Sequence, residues 1–263
     1  MIEDEPNNTP EDSTHLPLEL LGCGNHAHGL DADLWDFDVP GATWISIRID
    51  AGTIGSRLDP ALTLVSDGSQ AAQALERPQS LDINLVFPTV ADHFTALLTP
   101  AHAVAEGEEY FYEMRVSEVK EPLLWNGTEN EPNDLLVEAR PVNHGDVLFG
   151  DMKDAFDEDW FLIEVPAGKH TVTVDVDAWE YGSAANYRMR FFPEGIAGQV
   201  VDADPAFAEA GDTVLTDEWS DGDPYGVYES QGSESLYFKI HEFPDNRHGA
   251  AYWYVVNVTV EGD

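Results

Sequence analysis

One spacing constrains this chain more than any other feature. The phrase Glu3-Asp4-Glu5-Pro6-Asn7-Asn8 returns as Glu129-Asn130-Glu131-Pro132-Asn133-Asp134. Asp31-Ala32-Asp33-Leu34-Trp35, running on to Val39-Pro40, returns as Asp157-Glu158-Asp159-Trp160-Phe161, running on to Val165-Pro166. Each paired position lies 126 residues from its twin. Independent loops would not hold one offset across two separate phrases, so the chain reads as a duplicated domain. At 263 residues it has room for two domains of ordinary size, each able to bury its own core. The expected division is a first domain over 1–120, a linker over 121–128 punctuated by Pro122 and Gly127, and a second domain over 129–263.

Between the acidic phrases the apolar pattern has period two. Leu34-Trp35-Asp36-Phe37-Asp38-Val39 alternates, Pro40-Gly41 turns, and Trp44-Ile45-Ser46-Ile47-Arg48-Ile49 alternates again with three isoleucines on one face. Further strands are expected over 62–65, 81–87, 93–98 and 110–116, and in the second half over 147–150, 160–165, 171–176 and 252–260. Residues 70–75 are rich in alanine and read as a helical turn too short to change the class. The fold class is all-β, with two tandem jelly-roll-like antiparallel β-sandwich domains. One extra residue enters near Gly168, and the closing strands stand 142 apart, so the second copy carries an acidic, turn-rich insertion between 193 and 235.

The charge narrows the partners. Fifty-one acidic against 12 basic residues give a net charge of -39, which repels phosphate backbones and anionic membrane surfaces. Nucleic acid is therefore not an expected partner, and no apolar run approaches the roughly 20 residues needed to span a bilayer. So many carboxylates oppose compaction unless salt screens them or divalent cations neutralise them. Cys23 is the one cysteine, so no intrachain disulfide can form and a small buried thiol is expected. Met1-Ile2-Glu3-Asp4 lacks the basic and apolar regions of a secretory signal.

Glu-x-Glu-Pro-Asn-(Asn/Asp), a Gly-containing strand, Asp-x-Asp followed by an aromatic pair and Val-Pro, and a closing strand rich in Tyr and Val together resemble the bacterial pre-peptidase C-terminal domain family. That family includes the collagen-binding modules of clostridial collagenases. The resemblance occurs twice and covers most of the chain; the opening motif and spaced aspartates carry it, the strand pattern much less. It implies jelly-roll-like sandwiches in which the opening segment and the aspartate loop hold Ca2+. The chemistry agrees, because Ca2+ takes six to eight hard oxygen ligands, and Glu5, Asn7 and Asp33 offer such oxygens from two segments that a sandwich can bring together. Matched to the family motif, the candidate ligands are Glu3, Glu5, Asn7, Asn8, Asp31 and Asp33 in the first copy, and Glu129, Glu131, Asn133, Asp134, Asp157 and Asp159 in the second. Some members carry a further acid where this chain has Leu30 and Phe156, so one ligand is lost or replaced. A competing account needs no ion: Pro fixes φ, and Asn or Asp caps its own backbone, so these residues would only shape turns.

The resemblance also implies an exported, extracellular or cell-surface protein whose signal segment lies outside this stretch. It would be a non-catalytic accessory or adhesive module that binds an extracellular matrix protein or a polysaccharide. Trp179, Tyr181, Trp219 and Tyr225 are the candidate contact residues, with a core role as the competing account. Two other readings stay open: a hydrolytic enzyme with its site in the acidic insertion, and a purely structural spacer. There is no Gly-x-Ser-x-Gly elbow, no His-Glu-x-x-His helix and no phosphate-cradling Gly loop. His26-x-His28 sets two imidazoles on one strand face, but two ligands are too few for zinc and the sequence places no third nearby. An exposed or hydrogen-bonded histidine pair is expected there.

Overall fold

The structure is a computed structural model and describes residues 1–26, 31–66, 68–74, 81–90, 92–101, 107–193, 215–216, 223–242 and 247–262. The chain divides into two compact units. One is Met1–Pro122 with Gly182–Ala184 and Gly249–Tyr252; the other is Leu123–Tyr181 with Ala185–His248 and Trp253–Asp263.

The strands of the first unit are β1 Thr14–His15, β2 Leu21–Asn25, β3 Asp33–Val39, β4 Thr43–Asp50, β5 Pro60–Ser66, β6 Ser69–Ala74, β7 Ile83–Thr89, β8 Asp92–Pro100 and β9 Phe111–Val119. They form two sheets, in the orders β1-β3-β8-β5-β6 and β2-β9-β4-β7. Pairing is antiparallel except at the edge, where the two-residue β1 runs parallel to β3. The alternation in the sequence is the alternation of burial: Trp35, Phe37 and Val39 of β3, and Ile45, Ile47 and Ile49 of β4, are all buried. So are Phe94, Ala96 and Leu98 of β8, and Tyr112, Met114 and Val116 of β9. Strand period two puts each set on one face, and the two inner faces make one sandwich core. Trp35 Nε1 donates to the Tyr112 hydroxyl at 2.7 Å, joining a strand of one sheet to a strand of the other and satisfying a buried indole N–H.

The helical turn expected over 70–75 is not formed over 70–74, and residue 75 lies outside the described residues. Ser69–Ala74 is β6, paired with β5 at the sheet edge, because ladder hydrogen bonds along β5 outweigh the helix preference of a short alanine-rich run.

The second unit contains β10 Gly127–Thr128, β11 Arg140–Val142, β12 Val147–Asp151, β13 Glu158–Val165, β14 His170–Asp177, β15 Tyr187–Pro193, β16 Leu215–Thr216, β17 Tyr225–Ser230, β18 Glu234–Glu242 and β19 Trp253–Gly262. Its sheets are ordered β11-β13-β18-β15-β16 and β10-β12-β19-β14-β17. Strands β11 to β19 retrace β1 to β9 one for one, and the short β10 corresponds to the Ile2–Cys23 bridge of the first unit. The break between units falls at Pro122/Leu123, so Gly127–Thr128 is the edge strand of a second-unit sheet, with Trp125 against Phe149 at 4.7 Å. The offset is 126 at the first residues of β2 and β12, 127 at those of β4 and β14, and 142 at those of β7 and β17. Gly168 accommodates the extra residue at φ 114°, a conformation that L side chains rarely adopt. The larger insertion lies between Pro193 and Tyr225, and residues 194–214 and 217–222 of it lie outside the described residues.

Candidate metal centres

In each unit the leading acidic segment is stitched by its backbone beside the second and third strands of the repeat. In the first unit, Glu3 N–H donates to Cys23 O at 3.0 Å and Leu34 N–H donates to Asn7 O at 3.1 Å. In the second, Glu129 N–H donates to Phe149 O at 2.8 Å and Trp160 N–H to Asn133 O at 3.0 Å. These are the same bonds moved by 126 positions, and in both units the Glu-Pro bond between them is cis. The stitching carries the leading carboxylates to the start of β3 or β13, where Asp33 and Asp159 point inward with no exposed surface.

The clusters that result are tight. Carboxylate oxygens of Glu3, Glu5 and Asp33 lie within 4.8 Å of one another, as do those of Glu129, Glu131 and Asp159. A second group in the second unit, Glu131, Asp134 and Asp157, meets the same limit and shares Glu131 with the first. Around them the local bonds repeat. Glu5 Oε2 accepts from Asn7 N–H at 3.1 Å, and Glu131 Oε2 from Asn133 N–H at 3.2 Å. Glu3 Oε1 accepts from Asn25 N–H at 2.7 Å, and Glu129 Oε1 from Asp151 N–H at 2.8 Å. Asn8 serves its loop, its Oδ1 accepting from Ala32 N–H at 2.9 Å.

The turn-shaping account makes a checkable claim, that the Asn and Asp side chains cap nearby backbone. Asn8 does so. Asn7, Asn133, Asp33 and Asp159 do not: all four are fully buried, and neither polar atom of any of their side chains meets a hydrogen-bond partner. The Tyr112 and Tyr254 hydroxyls stand close enough to Asp33 and Asp159 to lower their pKa values, but the hydrogen bonds with good geometry go to Glu3 Oε2 at 3.3 Å and Glu129 Oε2 at 2.6 Å. Buried oxygens without donors are costly as they stand and are the form that an ion's ligands take before it binds.

The electrostatics point the same way. Burial, reinforced by Glu3, pushes the Asp33 carboxyl up to about 8. Burial, with Glu129 and Asp157 beside it, raises Asp159 well above the ordinary carboxylate range. Asp157 is pushed up to about 7, again chiefly by burial, and Glu3 and Glu129 are raised for the same reason. In each of these groups burial disfavours the charged form, so a nearby cation would stabilise it.

Lys153, which drew no attention in the sequence, supplies part of that cation. Its Nζ lies 2.9 Å from Glu131 Oε1, 3.3 Å from Glu129 Oε1 and 3.8 Å from Asp151 Oδ1. Although burial works against it, these carboxylates hold the ammonium charged above its usual range. Its ion pairs are to Glu129, Glu131 and Asp151; Asp134, Asp157 and Asp159 form none with it. The second unit therefore keeps acids that its lysine does not pair. Tyr112 and Tyr254, which donate to Glu3 and Glu129, stand on the closing strands 142 positions apart, and nothing in that spacing ties them to the opening acids. Gly24 and Gly150 keep the offset of 126, and a Cβ at either would run into the same Glu and Tyr pair.

Of the two alternatives for His26, exposure does not hold: the side chain is fully buried, and one of its ring nitrogens, an Asp31 oxygen and an Asp33 oxygen lie within 4.8 Å of one another. His28 and Leu30 lie outside the described residues, and Phe156, at Leu30's twin position, is exposed.

Of the candidate contact residues, Trp219 lies outside the described residues. Trp179 and Tyr181 sit on a 3-10 turn, Trp179–Tyr181. The Asp223 carboxylate accepts from the backbone N–H groups of Ala178, Trp179 and Glu180 at 2.8, 2.6 and 3.1 Å, which ties this turn to the start of β17, where Tyr225 is exposed. Asp223 thus acts as the anchor of a turn. The rest of the acidic insertion, where an enzymatic site was considered, lies largely outside the described residues.

No family model matches the sequence, and no curated protein matches it. Among solved structures, the chain is similar to the pre-peptidase C-terminal domain of a collagenase from Bacillus anthracis, at 18% identity and a TM-score of 0.34, over 42% of this chain and 99% of that one. It is also similar to a periplasmic inhibitor of g-type lysozyme from Salmonella Typhimurium, at 15% identity and a TM-score of 0.30, over 47% of this chain and 100% of that one. Tandem CBM51 modules of a family 98 glycoside hydrolase from Streptococcus pneumoniae align over 90% of this chain and 83% of theirs, at 10% identity and a TM-score of 0.26.

Proposed function

We propose that this chain is a tandem pair of non-catalytic, calcium-binding β-sandwich modules from a secreted or cell-surface protein, related to the pre-peptidase C-terminal domains. The observation that carries the reading is the recurrence, 126 positions apart, of a buried Asn and a buried Asp whose polar atoms have no protein partner. Glu3, Glu5, Asn7 and Asp33 would hold an ion in the first unit, and Glu129, Glu131, Asn133, Asp134, Asp157 and Asp159 in the second. A set made only of carboxylate and amide oxygens fits Ca2+ better than softer ions. The bound ion would supply charge neutralisation, fastening each leading segment to its sandwich.

The calcium-stiffened modules would present a binding face to a polysaccharide or matrix protein, with exposed Tyr181 and Tyr225 of the second unit as the proposed contacts. Among the described residues no helix is long and apolar enough to cross a membrane. Thermal melting in calcium and in chelator tests the ion; saturation at 100 times Kd adds about 2.7 kcal/mol of stability by linkage. A glycan and matrix-protein binding array, run with Tyr181→Ala and Tyr225→Ala variants, tests the face. Identical melting in both buffers would refute the calcium reading.

A further inference from the structure

We propose that the first unit carries a second metal position, formed by His26, Asp31 and Asp33, that takes a divalent transition ion such as zinc rather than calcium. His26 and Asp33 have no exposed surface and Asp31 is 3% exposed. His26 Nε2 stands 3.8 Å from Asp33 Oδ2, longer than a direct hydrogen bond. Two ligands on one tetrahedral ion, with metal bonds near 2.1 Å, stand about 3.4 Å apart, so a small adjustment seats an ion between them. Asp31 completes a set of three ligand atoms within 4.8 Å.

Neither carboxylate oxygen of the fully buried Asp33 makes a hydrogen bond, and the side-chain amide of Asn7, whose backbone carbonyl accepts from Leu34 N–H, is unpartnered as well.

The ligand chemistry selects the ion. A set containing an imidazole nitrogen favours zinc and its first-row neighbours, whereas Ca2+ prefers oxygen throughout. In the second unit the position of His26 is taken by Met152, a buried thioether, and among the described residues its candidate metal groups offer only carboxylate oxygen. The two repeats thus differ in kind, the second leaning on Lys153 where the first presents an imidazole. Asp33 belongs both to this set and to the proposed calcium cluster, so the two positions share a bridging carboxylate. The inference shares that residue with the calcium reading but stands without it.

Cobalt titrated into the whole chain, already saturated with calcium, gives the test, because nitrogen-ligated Co2+ has visible d–d absorption. The expected result is one saturable equivalent of colour, displaced by zinc and weakened at least about tenfold in His26→Gln. His15→Gln and His93→Gln, at exposed histidines paired with Asp36 and Asp38, leave it unchanged. Should His26→Gln fail to fold, Asp31→Asn and the zinc-induced shift of the His26 ring nitrogens in the unaltered chain decide the matter. Absence of colour, colour that survives both variants, or an unmoved His26 ring overturns the proposal. If calcium still raises the melting temperature in that case, only this inference falls; if it does not, the calcium reading falls too.

Discussion

The hydroxyl of Tyr254, on the last strand of the second unit, donates to Oε2 of Glu129, the first acid of the same unit, at 2.6 Å across 125 positions of sequence. Tyr112 makes the same bond to Glu3 at 3.3 Å in the first unit. The closing strand thus holds the opening segment in place from inside the sandwich. Because the Tyr254 hydroxyl is buried and its acceptor ionisable, Tyr254→Phe is expected to cost about 1.5 to 3 kcal/mol. It should also weaken calcium binding by the second unit. Urea unfolding in chelator and in calcium measures both effects.

Gly150 lies where any Cβ would collide with Glu129 Oε2 and the Tyr254 ring. Gly150→Ala is therefore expected to displace Glu129 and reduce the calcium-dependent rise in melting temperature. Gly24→Ala does the same in the first unit, and Gly232→Ala, where a Cβ meets nothing within 4 Å, leaves it intact. Differential scanning calorimetry of the three variants checks this.

Lys153 acts as a resident monovalent counterion for Glu129 and Glu131. Its side chain is half exposed, so Lys153→Met is expected to cost only about 1 kcal/mol in chelator. In calcium the sign reverses, because the ammonium no longer competes for Glu131 and the calcium-induced gain in melting temperature grows. Melting of the variant in both buffers reads the difference.

How much of this was legible in the sequence depended on whether a residue kept the 126 spacing. Glu5, Asn7 and Asp33 and their twins did, and in each unit the carboxylate oxygens of the Glu and the Asp come within 4.8 Å of one another. Tyr112 and Tyr254 are equally matched at the closing strands' offset of 142, but a repeat spacing does not tell which opening acid a closing-strand hydroxyl will meet, so their bonds to Glu3 and Glu129 were not legible. Lys153 and His26 have no twins, since Ala27 and Met152 occupy the corresponding positions, and a search for repetition passes over them. The strand pattern was readable because the inner faces are so consistently apolar. Residues 70–75 were misread because an edge strand draws its stability from the neighbouring ladder rather than from its own composition.

Asp177 gives a pH dependence outside the clusters. Burial, then Asp175, Asp223 and Glu180, pushes its carboxyl from 3.8 up to about 6. Between those values the folded chain binds more protons than the unfolded one, so this group's contribution is fully present below 3.8 and is lost as pH rises through 6. Asp177→Asn is expected to raise the melting temperature at neutral pH, with the gain vanishing by about pH 4. Melting of the variant against the unaltered chain across that range, in chelator, checks the sign.

The most direct measurement is isothermal titration of calcium into the whole chain after chelator treatment, repeated with Asp33→Asn, Asp159→Asn and the double variant. The account expects saturable binding in which each single variant removes the contribution of its own unit and the double variant removes the remainder. A chelated chain that takes up no calcium, or binding that survives the double variant unchanged, would contradict it.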